Sequence, residues 1–112
     1  MPPRRERNDI LPGTLDMLVL RTLSLGKLHG YGIAQHIERI SDDVLRVEQG
    51  SLYPALERLQ NKGWVTSKWG ASPTGRRARY YTITASGRAR LGEKLTGYRR
   101  MAAAIARVLT QS

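Results

Sequence analysis

Cysteine and phenylalanine are both absent from this 112-residue chain. Without cysteine there is no disulfide framework, no thiolate metal cluster and no cysteine nucleophile. Acids are scarce: nine aspartates and glutamates stand against nineteen lysines and arginines, a formal charge of +10. Long apolar runs are missing too. The two longest, Met17–Leu20 and Met101–Ala106, fall far short of the roughly 20 residues that span a membrane. The basic start MPPRRERND leads into no charge-free apolar stretch, because Asp16 and Arg21 interrupt it. No secretory signal is read, and a reducing cytoplasm is the expected compartment. The two histidines, His29 and His36, have no acid at metal-ligand spacing, and no phosphate loop or paired-acid motif occurs. An enzyme is therefore not expected, and neither is a metal or cofactor.

What the chain has is positive charge, unevenly placed. Six cations (Lys68, Arg76, Arg77, Arg79, Arg88, Arg90) and no acid lie between Trp64 and Arg90. A field of this sign attracts polyanions, with nucleic acid ahead of an anionic membrane surface. A membrane-surface helix would carry its cations on an amphipathic face, whereas Arg76–Arg79 follow the turn-forming Gly-Ala-Ser-Pro-Thr-Gly. No membrane partner is expected.

The length suits one domain. Residues 1–10 lack an apolar period and read as a flexible basic arm. Leu15, Leu18, Val19, Leu23 and Leu25 then follow a helical period, with Gly13 or Thr14 to open the helix and Gly26 to end it. His29–Gly32 reads as a turn. Ile33, Ile37 and Ile40 mark a short second helix. A third carries Leu52, Ala55, Leu56 and Leu59 and stops at Gly63. Proline is tolerated in a first turn, so Pro54 places that helix start near Gly50 or Ser51. Beyond Gly63 the composition changes to strand formers. Trp64–Trp69 and Arg79–Thr84 read as a hairpin around a polar loop at Gly70–Gly75. A last helix carries Leu91, Leu95, Tyr98, Ala102, Ile105 and Leu109 at alternating spacings of four and three, a heptad seam. The seam fits either the chain's own first helix or a second copy. The small size, which limits the core one chain can bury, favours a homodimer.

Three helices, a basic hairpin and a long helix make a mainly α fold with a small β-hairpin. The layout is that of a winged helix-turn-helix over 11–84 followed by a C-terminal dimerisation helix over 85–112. Such a unit sets a helix into the major groove with its N-terminal residues nearest the bases. That helix start also favours phosphate. Gly50 allows close approach, Ser51 and Tyr53 offer hydroxyls, and the hairpin arginines suit the neighbouring backbone or minor groove. Ser51 also fits a plain helix cap, and Tyr53 also fits packing on a neighbouring helix. Trp64 reads as core and Trp69 as an exposed aromatic near the hairpin tip. Tyr80 and Tyr81 point to opposite faces of a strand, one of them into the core. A module that binds RNA or a protein is the alternative. Specific RNA recognition usually stacks bases on sheet aromatics, and a hairpin alone offers little sheet.

The segments Gly50-Ser51-Leu52-Tyr53-Pro54-Ala55-Leu56, Arg58-Leu59 and Gly63-Trp64 resemble the signature of the PadR family of bacterial transcriptional regulators. So do His29-Gly30-Tyr31-Gly32-Ile33 upstream and Arg76–Gly87 downstream, in the family's order, and the likeness covers about residues 11–95. Glu48-Gln49 stands where many relatives have Asn-Pro, and the chain is similar to the branch with a short C-terminal region. The resemblance implies a homodimeric repressor on a palindromic operator, relieved in some members by a small, often aromatic effector. It places Ser51 and Tyr53 on the recognition helix, Tyr31 at a backbone contact and Arg76, Arg77 and Arg79 on the wing. The expected contacts to double-stranded DNA are thus Tyr31, Gln49, Gly50, Ser51, Tyr53, Arg58, Lys68, Arg76, Arg77 and Arg79. The expected dimer contacts are Leu91, Leu95, Tyr98, Ala102, Ile105 and Leu109.

Overall fold

The structure, a computed structural model, describes residues 8–10 and 12–111. A two-residue strand, β1 (Asn8–Asp9), comes first. The fold is built on α1 (Pro12–Ser24), which opens on a proline in its first turn, where no hydrogen bond is lost. Leu15, Met17, Val19, Leu20 and Leu23 are all buried. They face several directions because the other helices and one strand pack around α1. The helix unwinds at Ser24 through three-residue backbone bonds from Leu25 to Thr22 and from Gly26 to Leu23. That turn carries Leu25 out of the expected stripe, and it is 62% exposed.

The expected turn at His29–Gly32 is instead a strand and a helix start. Leu28–His29 forms β2, and α2 runs over Gly30–Ile40. The His29 Nδ1 accepts the Gly32 N–H at 2.9 Å and caps α2. Ile33 and Ile37 are buried, but Ile40 is the last helical residue and is 63% exposed. A turn with positive φ at Asp42 and Asp43 leads on to the short strand β3 (Leu45–Arg46). It pairs in parallel with β1, so the arm expected over residues 1–10 is shorter at that end. The remainder of that arm, residues 1–7, lies outside the described residues.

Helix α3 spans Gln49–Asn61, one to two residues earlier than expected. Pro54 therefore falls in the second turn, where it cannot donate to the Gly50 carbonyl. Leu52, Ala55, Leu56 and Leu59 line the core as their spacing requires. At the other end the Trp64 N–H reaches Leu59 O and the Gly63 N–H reaches Gln60 O, with Gly63 at φ +76°. That pair of bonds is the Schellman end of a helix.

Strands β4 (Val65–Ala71) and β5 (Arg77–Ile83) pair antiparallel from Val65↔Ile83 to Ala71↔Arg77. They are longer at the tip than expected and start one residue later at the base. β2 adds to the other edge of β5, Leu28 opposite Tyr81 and His29 opposite Tyr80. The expected hairpin is thus a three-stranded sheet in the order β2-β5-β4. Side chains alternate across it. Val65, Tyr81 and Ile83 enter the core, which settles the tyrosine pair: Tyr80 lies on the outer face, stacked on His29 at 5.5 Å.

Helix α4 (Ala85–Thr110) has 26 residues and is about 39 Å long. Thr84 caps it, accepting the Gly87 N–H at 3.0 Å and donating to the Gly63 carbonyl at 2.7 Å. Gly87 and Leu91 are buried and Leu95 packs against the core. The first three turns of α4 thus share the core of the preceding elements.

Candidate nucleic-acid interface

The N-terminus of α3 has no side-chain cap. Ser51 is already inside the helix and is not its cap. The capping position belongs to Glu48, whose carboxylate turns away to Arg46 Nε at 2.6 Å. The acid's charge beside this helix start is thus partly balanced by a neighbouring guanidinium. Gln49, Gly50 and Ser51 are exposed on the first turn; the Ser51 N–H meets the Glu48 carbonyl at 3.0 Å, and the Gln49 and Gly50 N–H groups precede the first helical acceptor.

Tyr53 projects from the next turn and is 46% exposed. Its ring lies on the backbone of Gly30, so closely that a Cβ there would stand 2.8 Å from the tyrosine oxygen. Only glycine allows this approach, and it ties the α3 start to the α2 start. Tyr31, the second residue of α2, is exposed beside it and meets His29 edge-on. The His-Gly-Tyr-Gly motif is plain in the sequence, but reading it as a turn misses both the cap and the seat for Tyr53.

On the wing, Trp69 shares a sheet face with Arg77 and Arg79, and Arg79 is its direct cross-strand partner. The guanidinium carbons lie 5.4 Å and 5.1 Å from the indole centroid, within cation–π range. Arg79 also neighbours Tyr81. Burial raises the Tyr81 phenol above its ordinary value, while the Arg79 charge acts the other way. Tyr53, Tyr81, Arg79 and Trp69 thereby form an array from the α3 start onto the wing. Arg76 is exposed in the hairpin connection.

Two expected contacts stand apart from this array. Arg58 bonds Asp16 of α1 at 2.9 Å, an ion pair that braces α1 against α3. Lys68 points from the opposite sheet face, where it borders an open hollow of about 340 Å³ with Lys27, Tyr80 and Thr82. The Tyr80 hydroxyl donates to the Ala71 carbonyl at 2.8 Å and braces the wing from that side.

Among the expected dimer contacts, Leu91 is buried within the chain and Leu95 is half-buried against the core. Both are used by the chain's own fold. Farther along α4, Tyr98, Ile105 and Leu109 are exposed, Ala102 is half-buried, and Met101 and Val108 widen the stripe. Among the described residues no helix is long and apolar enough to cross a membrane, and no histidine–acid group could hold a metal.

A helix-turn-helix with a basic antiparallel wing is the architecture of a DNA-binding transcription regulator. The chain belongs to the PadR-like family of transcriptional regulators, a family of regulators and not enzymes, whose model matches residues 19–93. It is 32% identical over 87 residues to an uncharacterized protein of Lysinibacillus sphaericus, covering 78% of this chain and 80% of that one. Its fold is similar to a PadR family transcription regulator from Clostridium difficile, with TM-score 0.74, 27% identity, and 85% and 97% of the two chains covered. A PadR-like transcriptional regulator from Bacillus cereus is similar at TM-score 0.77 and 25% identity, covering 89% and 95%.

Proposed function

We propose that the protein is a homodimeric repressor that docks on a palindromic operator. In this reading α3 enters the major groove, with Gln49, Gly50, Ser51 and Tyr53 nearest the DNA. Tyr31 and the wing arginines Arg76, Arg77 and Arg79 hold the backbone to either side. The observation that carries the reading is the pairing of two unsatisfied surfaces on one chain: an uncapped helix start beside a basic wing, and an apolar stripe on α4. The first suits an anionic duplex. The second suits a second copy of α4, because soluble monomers rarely leave such a stripe open. Two copies would set their recognition helices into successive major grooves about one helical turn apart. A small effector would relieve repression by favouring a dimer unable to span both half-sites.

Titration of the duplex upstream of the protein's own gene against random duplex, over several salt concentrations, tests this. With about eight to ten phosphates neutralised, log K against log salt should fall with a slope of about −7 to −9. A strong preference for the upstream duplex supports an autoregulating repressor. Failure to bind duplex DNA at low salt overturns the reading, and displacement by double-stranded RNA redirects it to RNA.

Tyr53→Ala should weaken binding to that duplex by about ten- to a hundredfold, the cost of a well-placed contact of 1–3 kcal/mol. The dimer should persist in sedimentation. Tyr53→Phe removes the hydroxyl, the atom nearest the Gly30 Cβ position, and keeps the ring that packs beside it. Wild-type affinity in Tyr53→Ala would remove this residue from the interface.

A further inference from the structure

Trp69 is 54% exposed and its indole N–H makes no hydrogen bond among the described residues, yet two arginine side chains lie over its ring. Arginines on a solvated wing ordinarily sample many rotamers and lose that freedom on gripping a phosphate. Among the described residues no acid pairs with these two, and no aspartate or glutamate occurs between Trp64 and Arg90. The antiparallel register puts Trp69 directly across from Arg79, with Arg77 two residues along the same face. The ring therefore occupies a place from which it meets both cations.

We propose that Trp69 is a positioning residue of the wing, whose indole holds the Arg77 and Arg79 guanidiniums in place before DNA arrives. The proposal rests on the DNA-binding reading and assigns a role within that site. The cations supply the charge; the ring supplies their order. Removing the ring leaves the number of cations unchanged, so the salt slope, which counts neutralised phosphates, stays where it was. Only the affinity at each salt concentration falls.

The test uses the full chain with Trp69→Ala and Trp69→Phe. Cation–π contacts at exposed sites are individually weak, and the loss of two predicts roughly tenfold weaker duplex binding for Trp69→Ala, with an unchanged slope. Trp69→Phe keeps an aromatic face and should come within about threefold of wild type. In DNA-free wild-type protein the Arg77 and Arg79 Nε–Hε resonances should be displaced by the ring current, and in Trp69→Ala they should move toward random-coil positions. Wild-type affinity in Trp69→Ala overturns the proposal, and so does a shallower slope. Phenylalanine binding as poorly as alanine also overturns it, because the indole itself would then be touching DNA. Undisplaced arginine resonances in wild type overturn it even if the alanine variant folds poorly. Should wild type bind no duplex, the DNA reading fails, and the resonances still report whether the stack exists.

Discussion

Ile105→Asp is expected to turn the proposed homodimer into monomers at micromolar concentration. Ile105 lies midway along the exposed α4 stripe, with Tyr98, Met101 and Ala102 before it and Val108 and Leu109 after it. It is 51% exposed in the single chain, so its apolar surface is available to a partner and little needed by its own core. In a symmetric pair the residue enters the interface twice. A carboxylate buried there without a partner costs several kcal/mol. Two of them should raise the dimer dissociation constant by at least about a thousandfold, which corresponds to roughly 4 kcal/mol. Sedimentation velocity reads this directly, with Ile105→Leu as the control that keeps the seam apolar. Operator binding should weaken in parallel, because two linked half-site contacts become two separate ones. A variant that still sediments as a dimer would move the interface elsewhere on the chain.

Elements with long apolar periods are legible in the sequence itself. Leu52, Ala55, Leu56 and Leu59 have one role open to them, and Val65 and Ile83 likewise. What the sequence hides depends on partners distant along the chain. β2 is two residues long, too short to show a period, and exists because Leu28 and His29 meet Tyr81 and Tyr80. Arg58 sits in the motif segment as a free cation, and only the crossing of α1 and α3 brings Asp16, 42 residues away, to its guanidinium. Ile40 shares the period of Ile33 and Ile37, but α2 ends there and no element among the described residues covers it. Lys68 and Trp69 are neighbours in sequence and therefore opposites on the sheet. One run of basic and aromatic residues thus separates into two faces. The heptad on α4 is likewise continuous in sequence but divided in space. Its first two positions, Leu91 and Leu95, serve the chain's own core, and the remainder extends past it.

The division within α4 makes its seat on the wing a sensitive point of the fold, and Gly87→Ala should show it. A Cβ at residue 87 would stand 2.1 Å from the Trp64 carbonyl oxygen and 2.8 Å from Ile83 Cγ1. The first neighbour is backbone and cannot swing aside. The helix must shift outward by more than 1 Å to restore an ordinary contact of about 3.5 Å. That movement strains three bonds at the joint: Thr84 N–H to Trp64 O at 3.0 Å, the Thr84 hydroxyl to Gly63 O at 2.7 Å, and Gly87 N–H to Thr84 Oγ1 at 3.0 Å. It also lifts Leu91 from the core. Overpacking costs about 1–3 kcal/mol and a lost cap about 1 kcal/mol, against a helix-propensity gain of at most about 1 kcal/mol. A net loss of about 2–3 kcal/mol is expected, a large fraction of a small domain's stability. Urea unfolding should show a lower midpoint at an unchanged slope. Gly92→Ala is the contrast within the same helix: nothing lies within 4 Å of its Cβ, so the substitution should stabilise the protein by about 0.5–1 kcal/mol. Equal gains from both variants would show that α4 does not rest on Trp64. Because the same joint aims the proposed dimer stripe relative to α3, folded Gly87→Ala protein should also lose preference for the upstream duplex over random duplex, although no residue facing DNA has changed.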